Sequence, residues 1–265
     1  MKLFDSHCHL DDKSYAKDLP DVINRAQDTN VAGIMLVGVN RETSAKVIEI
    51  ARSFNGFYAA VGVHPHDARE CSAQTLEYLV GLSRDFKVKA WGEIGLDFNR
   101  MYSPREDQEK WFVRQLEAAI ALNLPIIFHE RDSHGRLLEI LKQRHASGIK
   151  GVIHCFSGNL TELEQYLELG LYIGITGILT LKQRGADLRT MVPEIPEKRL
   201  LVETDAPYLT PAPEKNRHRR NEPAFVKSTL LKLAAVLGRD PESLADIIFE
   251  NTCRLFDISP MDFQG

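Results

Sequence analysis

Short apolar runs alternate with longer amphipathic stretches along the whole chain. Eight runs rich in Val, Ile and aromatic residues lie at residues 3–7, 33–38, 57–63, 88–94, 125–129, 151–155, 171–175 and 200–204. Seven segments with a helical spacing of apolar positions separate these runs, for example residues 108–122 and 160–169. Near-continuous apolar strands that alternate with helices indicate a parallel sheet that is covered on both faces.

The number of these strand–helix units favours a closed α/β barrel. Eight units in 265 residues match a (β/α)8 TIM-type barrel, which takes about 250 residues. An open doubly wound sheet can show a Gly-rich phosphate loop after its first strand, but here that strand ends in His-Cys-His. The eighth strand is followed by a Pro-rich, basic stretch at 206–221 and by helical segments at 223–237 and 241–249. We interpret these as helical decoration and expect residues 1–265 to form a single domain.

Composition and charge narrow the class of protein. A hydrophobic content of 43% and a charged content of 26% are typical of a globular protein, and no apolar run is long enough to span a membrane. The net charge of 33 − 37 = −4 argues against a protein that coats nucleic acid, but it leaves room for a local phosphate site. Four scattered cysteines without a CxxC pair, and an N-terminus without an apolar leader, predict a cytoplasmic protein.

Histidines and carboxylates gather where the predicted strands end. In a β/α barrel these ends meet on one face, which is where active sites lie. Both side-chain types are ligands for divalent transition metals. The residues at these ends are His7, His9, His64, His66, Glu93, Asp97, His129, His154, Glu203 and Asp205.

The first and last strands can together hold one ion. His7 and His9 are two residues apart on an extended segment, so both side chains point to the same side. In a closed barrel Asp205 lies next to the first strand, where it can reach that ion and take a proton from a water. Cys8 lies between the two histidines and is expected to face the helices, as is Cys155 beside another predicted ligand.

A second ion can be held between the fourth, fifth and sixth strands. Glu93 can offer one carboxylate oxygen to each of the two ions, and His129 and His154 can complete the second site. Two adjacent ions that activate a water and clamp the reacting centre are typical of a two-metal hydrolase. A lone strand-end histidine is more often a core residue, but six candidates at the same end of five strands favour a metal site.

Three further acidic residues are expected to support the site without binding metal. A histidine ligand usually donates its second N–H to a carboxylate or carbonyl, and Asp97 and Asp132 are candidates for that role. Asp132 can instead cap a helix that begins at Ser133. Glu203 lies two residues before Asp205 and can share its facing.

Basic residues near the predicted site can contact phosphate. Residues 215–220 carry four formal positive charges and follow the eighth strand, so they are expected over the catalytic face, either as a solvated loop or as a phosphate contact. Arg219 and Arg220 could bind phosphate oxygens in a forked geometry, and Arg131 is a second candidate.

The residues at the rim of the predicted site have two interpretations each. His66 either contacts phosphate or forms, with His64, a polar rim that is packed by Pro65. Aromatic side chains can stack on bases, although packing in the core or rim is the favoured interpretation for the four that lie near the site. These are Phe98, Tyr102, Tyr208 and Phe225.

Nine short motifs occur along nearly the whole chain. They are DSHCHL at 5–10, GVHPH at 62–66, GEIGLDFNR at 92–100, FHERD at 128–132, HCFSG at 154–158, ITG at 175–177, ETDAPYL at 203–209, RRNEP at 219–223 and ENTCRLF at 250–256. In this order they resemble the TatD family of metal-dependent hydrolases, a group of amidohydrolase-like barrels. The GLDFNR and RRNEP segments resemble the DNase branch of that family in particular.

The resemblance implies a metal-dependent DNase, often a 3′-to-5′ exonuclease, which acts on single-stranded DNA or on 3′ ends. It also implies two divalent ions, and members of the family use Mg2+. The histidine-rich ligand set, in contrast, favours Zn2+ or Mn2+. No obligate protein partner is evident. The positions that match the family's metal ligands are His7, His9, Glu93, His129, His154 and Asp205.

Two other functions stay open at this point. Some relatives are assigned other hydrolytic roles, including the deacylation of D-aminoacyl-tRNA, so an ester or amide hydrolase is the alternative enzyme. A barrel that binds metal without catalysis is the third interpretation, and the intact set of ligand positions disfavours it.

Overall fold

A computed structural model describes residues 1–144, 148–212 and 214–263 of the chain. Eight parallel strands form one sheet in chain order. They are β1 (Leu3–Cys8), β2 (Val31–Val37), β3 (Phe57–Val61), β4 (Val88–Asp97), β5 (Ile126–Arg131), β6 (Gly151–Ile153), β7 (Tyr172–Ile175) and β8 (Leu200–Val202). The predicted TIM-type barrel is confirmed.

Seven α-helices alternate with the strands in the described residues, and two more follow β8. They are α1 (Leu19–Asp28), α2 (Arg41–Ser53), α3 (Ala73–Leu82), α4 (Arg105–Ala121), α5 (Arg136–Lys142), α6 (Leu160–Glu168), α7 (Ala186–Met191), α8 (Val226–Leu237) and α9 (Pro241–Leu255). None of these helices combines the length and the apolar character that crossing a membrane requires.

Local sequence signals set several helix starts. Asn40 accepts hydrogen bonds at the start of α2, and its main-chain N–H is bound in turn by Thr43. Asn159 and Glu162 form the same reciprocal pair at α6. Each pair satisfies main-chain donors that the first turn of a helix leaves without a partner.

A short seam joins the first strand to the last. The main chain of Cys8 pairs in parallel with Ala206. On either side of this pair, the Asp205 N–H donates to the His7 carbonyl at 2.9 Å, and the His9 N–H donates to the Ala206 carbonyl at 2.7 Å. The barrel is therefore closed by the main chain of residues that belong to the predicted site.

The barrel interior is apolar at the amino-terminal ends of its strands. Helix α9 packs against β1 and β8. Its side chains Phe249 and Cys253 belong to the same apolar cluster as the interior side chains of the strands. The residues of the predicted metal site lie at the opposite, carboxyl-terminal end. The interior side chains from the strands are Phe4, Met35, Val37, Tyr58, Ala60, Ala90, Ile127, Val152, Tyr172 and Leu201.

The sequence prediction was wrong about the end of β6. The strand ends at Ile153, and Cys155 has a φ of +48°, so the alternation of facing does not extend to this residue. Cys155 therefore lines the cavity at the barrel mouth, whereas Cys8 is buried in the core as expected.

Candidate metal centre

Four histidines surround the carboxylate of Glu93 at the carboxyl ends of the strands. The Glu93 Oε1 atom lies 2.6 Å from His129 Nδ1, 3.6 Å from His64 Nε2 and 3.9 Å from His154 Nε2. The Glu93 Oε2 atom lies 3.4 Å from His7 Nε2. Glu93 is 3% exposed, so its charge is shielded from water and faced by nitrogen atoms from β1, β5 and the ends of β3 and β6.

Asp205 faces the same group from the end of β8. Its Oδ1 atom lies 3.5 Å from His9 Nε2 and 3.7 Å from both His7 Nε2 and His154 Nε2. The Nε2 atoms of His7 and His9 are only 3.1 Å apart, so the two rings do point to the same side of β1. All six side chains that were expected to hold metal are thus close together.

The donor set fits divalent ions. The site contains three groups of three side chains, and within each group the donor atoms lie within 4.8 Å of one another. In addition, Nδ1 of the buried His7 has no hydrogen-bond partner among the described residues. Nitrogen atoms that face one another with carboxylates between them are the arrangement that a cation satisfies. The three groups are His7, His9 and Glu93; His7, His154 and Asp205; and His64, His66 and His129.

His64 is closer to this centre than the sequence indicated. A turn that begins at Pro65 follows it, and its Nδ1 accepts the N–H of His66 at 3.1 Å, which fixes the ring. Its Nε2 is thereby aimed at Glu93. The interpretation of His64 as a rim residue did not anticipate this approach, because it depends on the geometry of the following turn.

The two carboxylates are ionised in this environment. Burial raises the pKa of Glu93, but His64, His7 and His154 together hold that pKa well below its usual value. Burial also opposes ionisation of Asp205, while its hydrogen bond with His9 and the charges of neighbouring histidines lower its pKa. The site therefore holds two fixed negative charges that face histidine nitrogens.

Glu203 lies beside Nδ1 of His154, whereas Nε2 of the same ring faces Glu93 and Asp205. The Glu203 Oε1 lies 2.8 Å from His154 Nδ1, at ion-pair distance but without the direction of a good hydrogen bond, and it accepts the Cys155 N–H at 2.6 Å. The side chain packs over Gly174 of β7, where an added Cβ would lie 2.6 Å from Oε1. Burial lowers the pKa of His154, but the charge of Glu203 and of Glu93 overcomes this and raises it to about 10.

Asp97 connects two other histidines. Its Oδ2 lies 2.7 Å from His66 Nε2 and 3.4 Å from His129 Nε2. Its Oδ1 accepts the main-chain N–H groups of Asn99 and Arg100 at 3.0 and 2.8 Å. Burial opposes its charge, yet the hydrogen bonds with His129 and His66, together with that from the Arg100 N–H, lower the pKa of Asp97 well below the usual value. The carboxylate is thus held where it orients both rings.

Asp132 does not cap a helix at Ser133. Helix α5 begins at Arg136, and the Ser133 N–H donates instead to Glu130 Oε1 at 3.0 Å. Asp132 is exposed and accepts a hydrogen bond from the Asn99 side chain at 2.6 Å. The side chain that accepts hydrogen bonds in this turn is therefore that of Glu130, to which the sequence assigned no role.

Asp5 is a site residue that the sequence analysis did not single out. It is fully buried and accepts the Thr204 N–H at 2.8 Å and the Thr204 hydroxyl at 2.5 Å. Burial raises its pKa to about 8, although the hydrogen bonds from Thr204 act in the opposite direction. The available signal was its spacing, because residues 5, 7 and 9 share one facing on an extended strand.

Arg220 is engaged in ion pairs away from the metal centre. Its guanidinium lies 2.6 Å from Asp18 and 3.1 Å from Glu222, and it stacks over the ring of Tyr15 at 4.5 Å. Neither Arg220 nor Arg219 lines the cavities at the barrel mouth among the described residues. Within the stretch 206–221, residue 213 lies outside the described residues.

Two adjoining cavities of about 360 and 650 Å³ open at the metal centre. Arg131 and Arg184 line both, and neither guanidinium forms an ion pair with a described residue. Arg184 lies in the segment between β7 and α7, outside every motif, and for that reason the sequence did not indicate it. The residues shared by the two cavities are His129, Arg131, His154, Arg184, Asp205 and Leu209.

Comparisons with known proteins agree across sequence and structure. The family model described as TatD related DNase matches residues 4–257. The 3′-5′ ssDNA/RNA exonuclease TatD of Shigella flexneri is 40% identical over 259 residues, which are 97% of this chain and 100% of the relative. The protein of the same name from Escherichia coli K12 is 39% identical with the same coverage.

Solved structures give the same result. A TatD homologue from Escherichia coli K12 superposes with a TM-score of 0.89 at 31% identity, covering 97% of this chain and 98% of the other. A hydrolase of the TatD family from Entamoeba histolytica superposes with a TM-score of 0.88 at 26% identity, covering 97% and 99%.

Proposed function

Because this chain belongs to the TatD family of DNases, we propose that it is a divalent-metal-dependent exonuclease that removes nucleotides from the 3′ ends of single-stranded DNA. The observation that carries the proposal is the convergence of two ionised carboxylates and several histidines beside cavities lined by two arginines that form no ion pair with a described residue. Relatives that align over nearly their whole length bear the name of a single-strand exonuclease, which supports the same assignment.

We propose that two divalent ions, Mg2+, Mn2+ or Zn2+, bind at this centre. Bound there, they would supply an activated water and stabilise the charge that develops on the phosphate. Glu93 is placed to contribute to both sites, since its two oxygens face different histidines. The proposed ligands are His7, His9, Glu93, His129, His154 and Asp205.

The proposed roles of the protein groups follow from their contacts. Asp205 is ionised and lines both cavities, so its carboxylate can accept the proton of the attacking water. Glu203 and Asp97 keep His154 and His129 in place. Arg131 and Arg184 can bind phosphate oxygens, and such contacts position a strand without reading its sequence.

An acyl hydrolase acting on D-aminoacyl-tRNA is less well supported. The aligned relatives bear the name of a single-strand exonuclease, and the two guanidiniums beside the proposed ligands match the phosphodiester that such an enzyme cleaves. The test is direct: purified, metal-loaded protein is incubated with a 5′-labelled single-stranded oligonucleotide and, separately, with a charged D-aminoacyl-tRNA. We expect stepwise shortening of the oligonucleotide. Deacylation with an intact oligonucleotide would reverse the assignment.

Replacing Glu203 by Gln is expected to lower kcat by about 10–100-fold, because loss of a carboxylate that supports a metal ligand has an effect of this size. The amide keeps the shape but removes the charge beside His154 Nδ1. The exposed residue Glu164 on α6 offers a matched control, and Glu164→Gln should change kcat less than twofold. A larger loss in Glu203→Gln than in Asp205→Asn would mean that the roles of the two carboxylates are exchanged.

We also propose that the protein acts in the cytoplasm. All four of its cysteines are free thiols, three of them buried, which suits a reducing compartment.

A further inference from the structure

The carboxylate of Asp205 is carried by a tight turn that follows β8. The Tyr208 N–H donates to the Asp205 carbonyl at 2.8 Å and closes this turn. Asp205 has a φ of +56°, a left-handed conformation that is uncommon for a residue other than glycine and that persists where the surrounding structure fixes it. The contacts that fix the main chain of this turn therefore also set where the Asp205 carboxylate points.

The side chain of Asn221 bridges the two ends of this turn. Its Nδ2 donates to the Thr204 carbonyl at 2.9 Å and to the Tyr208 carbonyl at 2.6 Å, so both protons of the amide are used. Asn221 is fully buried, and its Oδ1 accepts the Glu222 N–H at 2.9 Å, which fixes the orientation of the amide. One buried side chain thus holds the main chain before Asp205 and the main chain that closes the turn.

The main chain of Asn221 is held in its own place. Its N–H donates to the Pro207 carbonyl at 3.0 Å, and its carbonyl accepts the Tyr15 hydroxyl at 2.6 Å. Asn221 belongs to the RRNEP segment, and like the two arginines of that segment it does not line either cavity at the barrel mouth. Its route to the metal centre is therefore the turn that carries Asp205.

We infer that Asn221 is a positioning residue, which holds the turn at 205–208 so that the Asp205 carboxylate faces the histidines of the centre. This inference rests on the proposed function, in which Asp205 is a metal ligand and a proton acceptor. Removal of the Asn221 amide takes the donors from two buried main-chain carbonyls, and the left-handed turn then loses the contacts that fix it. The histidines belong to other strands and keep their places.

Asn251 offers a matched control at the other end of β8. It is 1% exposed, and its side-chain amide donates to the carbonyls of Glu197 and Leu200 at 2.8 and 3.0 Å. Strand β8 begins at Leu200, so each asparagine binds two main-chain carbonyls at one end of the same strand. Asn221→Ala and Asn251→Ala should therefore lower the melting temperature by similar amounts, whereas only Asn221→Ala should disturb Asp205.

The measurement is equilibrium binding of Mn2+ to the chelated protein by calorimetry, with thermal unfolding of each variant beside it. Loss of a group that orients a metal ligand weakens metal binding by about 10–100-fold, and Asn221→Ala should fall in this range. Asn251→Ala should bind Mn2+ within about twofold of the wild type. At saturating Mn2+, Asn221→Ala should lower kcat for a single-stranded oligonucleotide by about 10-fold or more and leave KM nearly unchanged.

A double variant tests whether Asn221 acts through Asp205. In an Asp205→Asn background, Asn221→Ala should weaken Mn2+ binding by less than about a further twofold, because the carboxylate that Asn221 positions is already gone. Losses that multiply in full would show that Asn221 acts by another route. That result would overturn the inference.

Equal losses of Mn2+ affinity in the two alanine variants, or wild-type affinity in a folded Asn221→Ala protein, would also overturn it. If Asn221→Ala does not fold, Asn221→Ser replaces it beside Asn251→Ser, because a hydroxyl can donate only one of the two hydrogen bonds. A wild type that binds Mn2+ but leaves oligonucleotides intact would remove the exonuclease function, and the binding data would still decide the role of Asn221.

Discussion

Asp205→Asn is expected to lower phosphodiester hydrolysis by about 10⁴-fold or more. Loss of a general base alone lowers the rate by about 10²–10⁴-fold, and this residue is also a proposed ligand. The Asp205 carboxylate faces three histidine nitrogens at 3.5–3.7 Å and is ionised in the folded protein. An amide in its place would be a poor proton acceptor and a weaker ligand.

The fold of this variant should be retained. The hydrogen bond that joins Asp205 to the main chain of β1 is donated by its own main-chain N–H, which the substitution leaves in place. The measurement is kcat at saturating oligonucleotide, with circular dichroism as the check on folding. Asp246, exposed on α9, supplies the control Asp246→Asn, which should retain full activity. A folded Asp205→Asn protein within tenfold of the wild-type rate would exclude Asp205 as base and ligand.

Removal of divalent ions is expected to abolish hydrolysis, and Mg2+ or Mn2+ should restore it. The chelated protein should stay folded, because the carboxylates keep partners: Glu93 lies 2.6 Å from His129 Nδ1, and Glu203 lies 2.8 Å from His154 Nδ1. Burial opposes the charge of His129, but Asp97 and Glu93 raise its pKa to about 9, so it carries a proton at neutral pH.

A second readout follows from these protons. An ion that binds a histidine nitrogen must displace the proton there, so metal titration of the chelated protein should acidify a weakly buffered solution. Hydrolysis and proton release should then reach saturation at the same metal concentration. Full activity after prolonged dialysis against excess chelator would contradict the metal requirement.

The barrel could be predicted because its strands are buried on both faces and therefore read as apolar runs. The end of the last helix was harder to predict, because α9 extends to Leu255 and the sequence predicted an end at 249. The prediction stopped early because Asn251 and Thr252 are buried polar residues that interrupt the apolar spacing. Asn251 is nonetheless satisfied, because its side-chain amide donates to the carbonyls of Glu197 and Leu200.

In the candidate site, too, some residues could be predicted from the sequence and others could not. His7, His9 and Glu93 could be found because strand ends converge in a barrel. The ion pair of Arg220 with Asp18 could not, because the partners are 202 positions apart and no local pattern relates them. Arg184 acquires its position from the segment before α7, whose course depends on tertiary packing.

The seam between β1 and β8 sets the order in which this protein becomes active. Asp5 and Thr204, which are hydrogen-bonded across it, are 199 positions apart. Contacts of such separation close a loop of about three-quarters of the chain, and non-local pairings of this kind slow folding. A nascent chain on the ribosome, still without β8, has His7 and His9 but no Asp205 beside them. The complete set of proposed ligands therefore arises only after β8 has been made and has paired with β1.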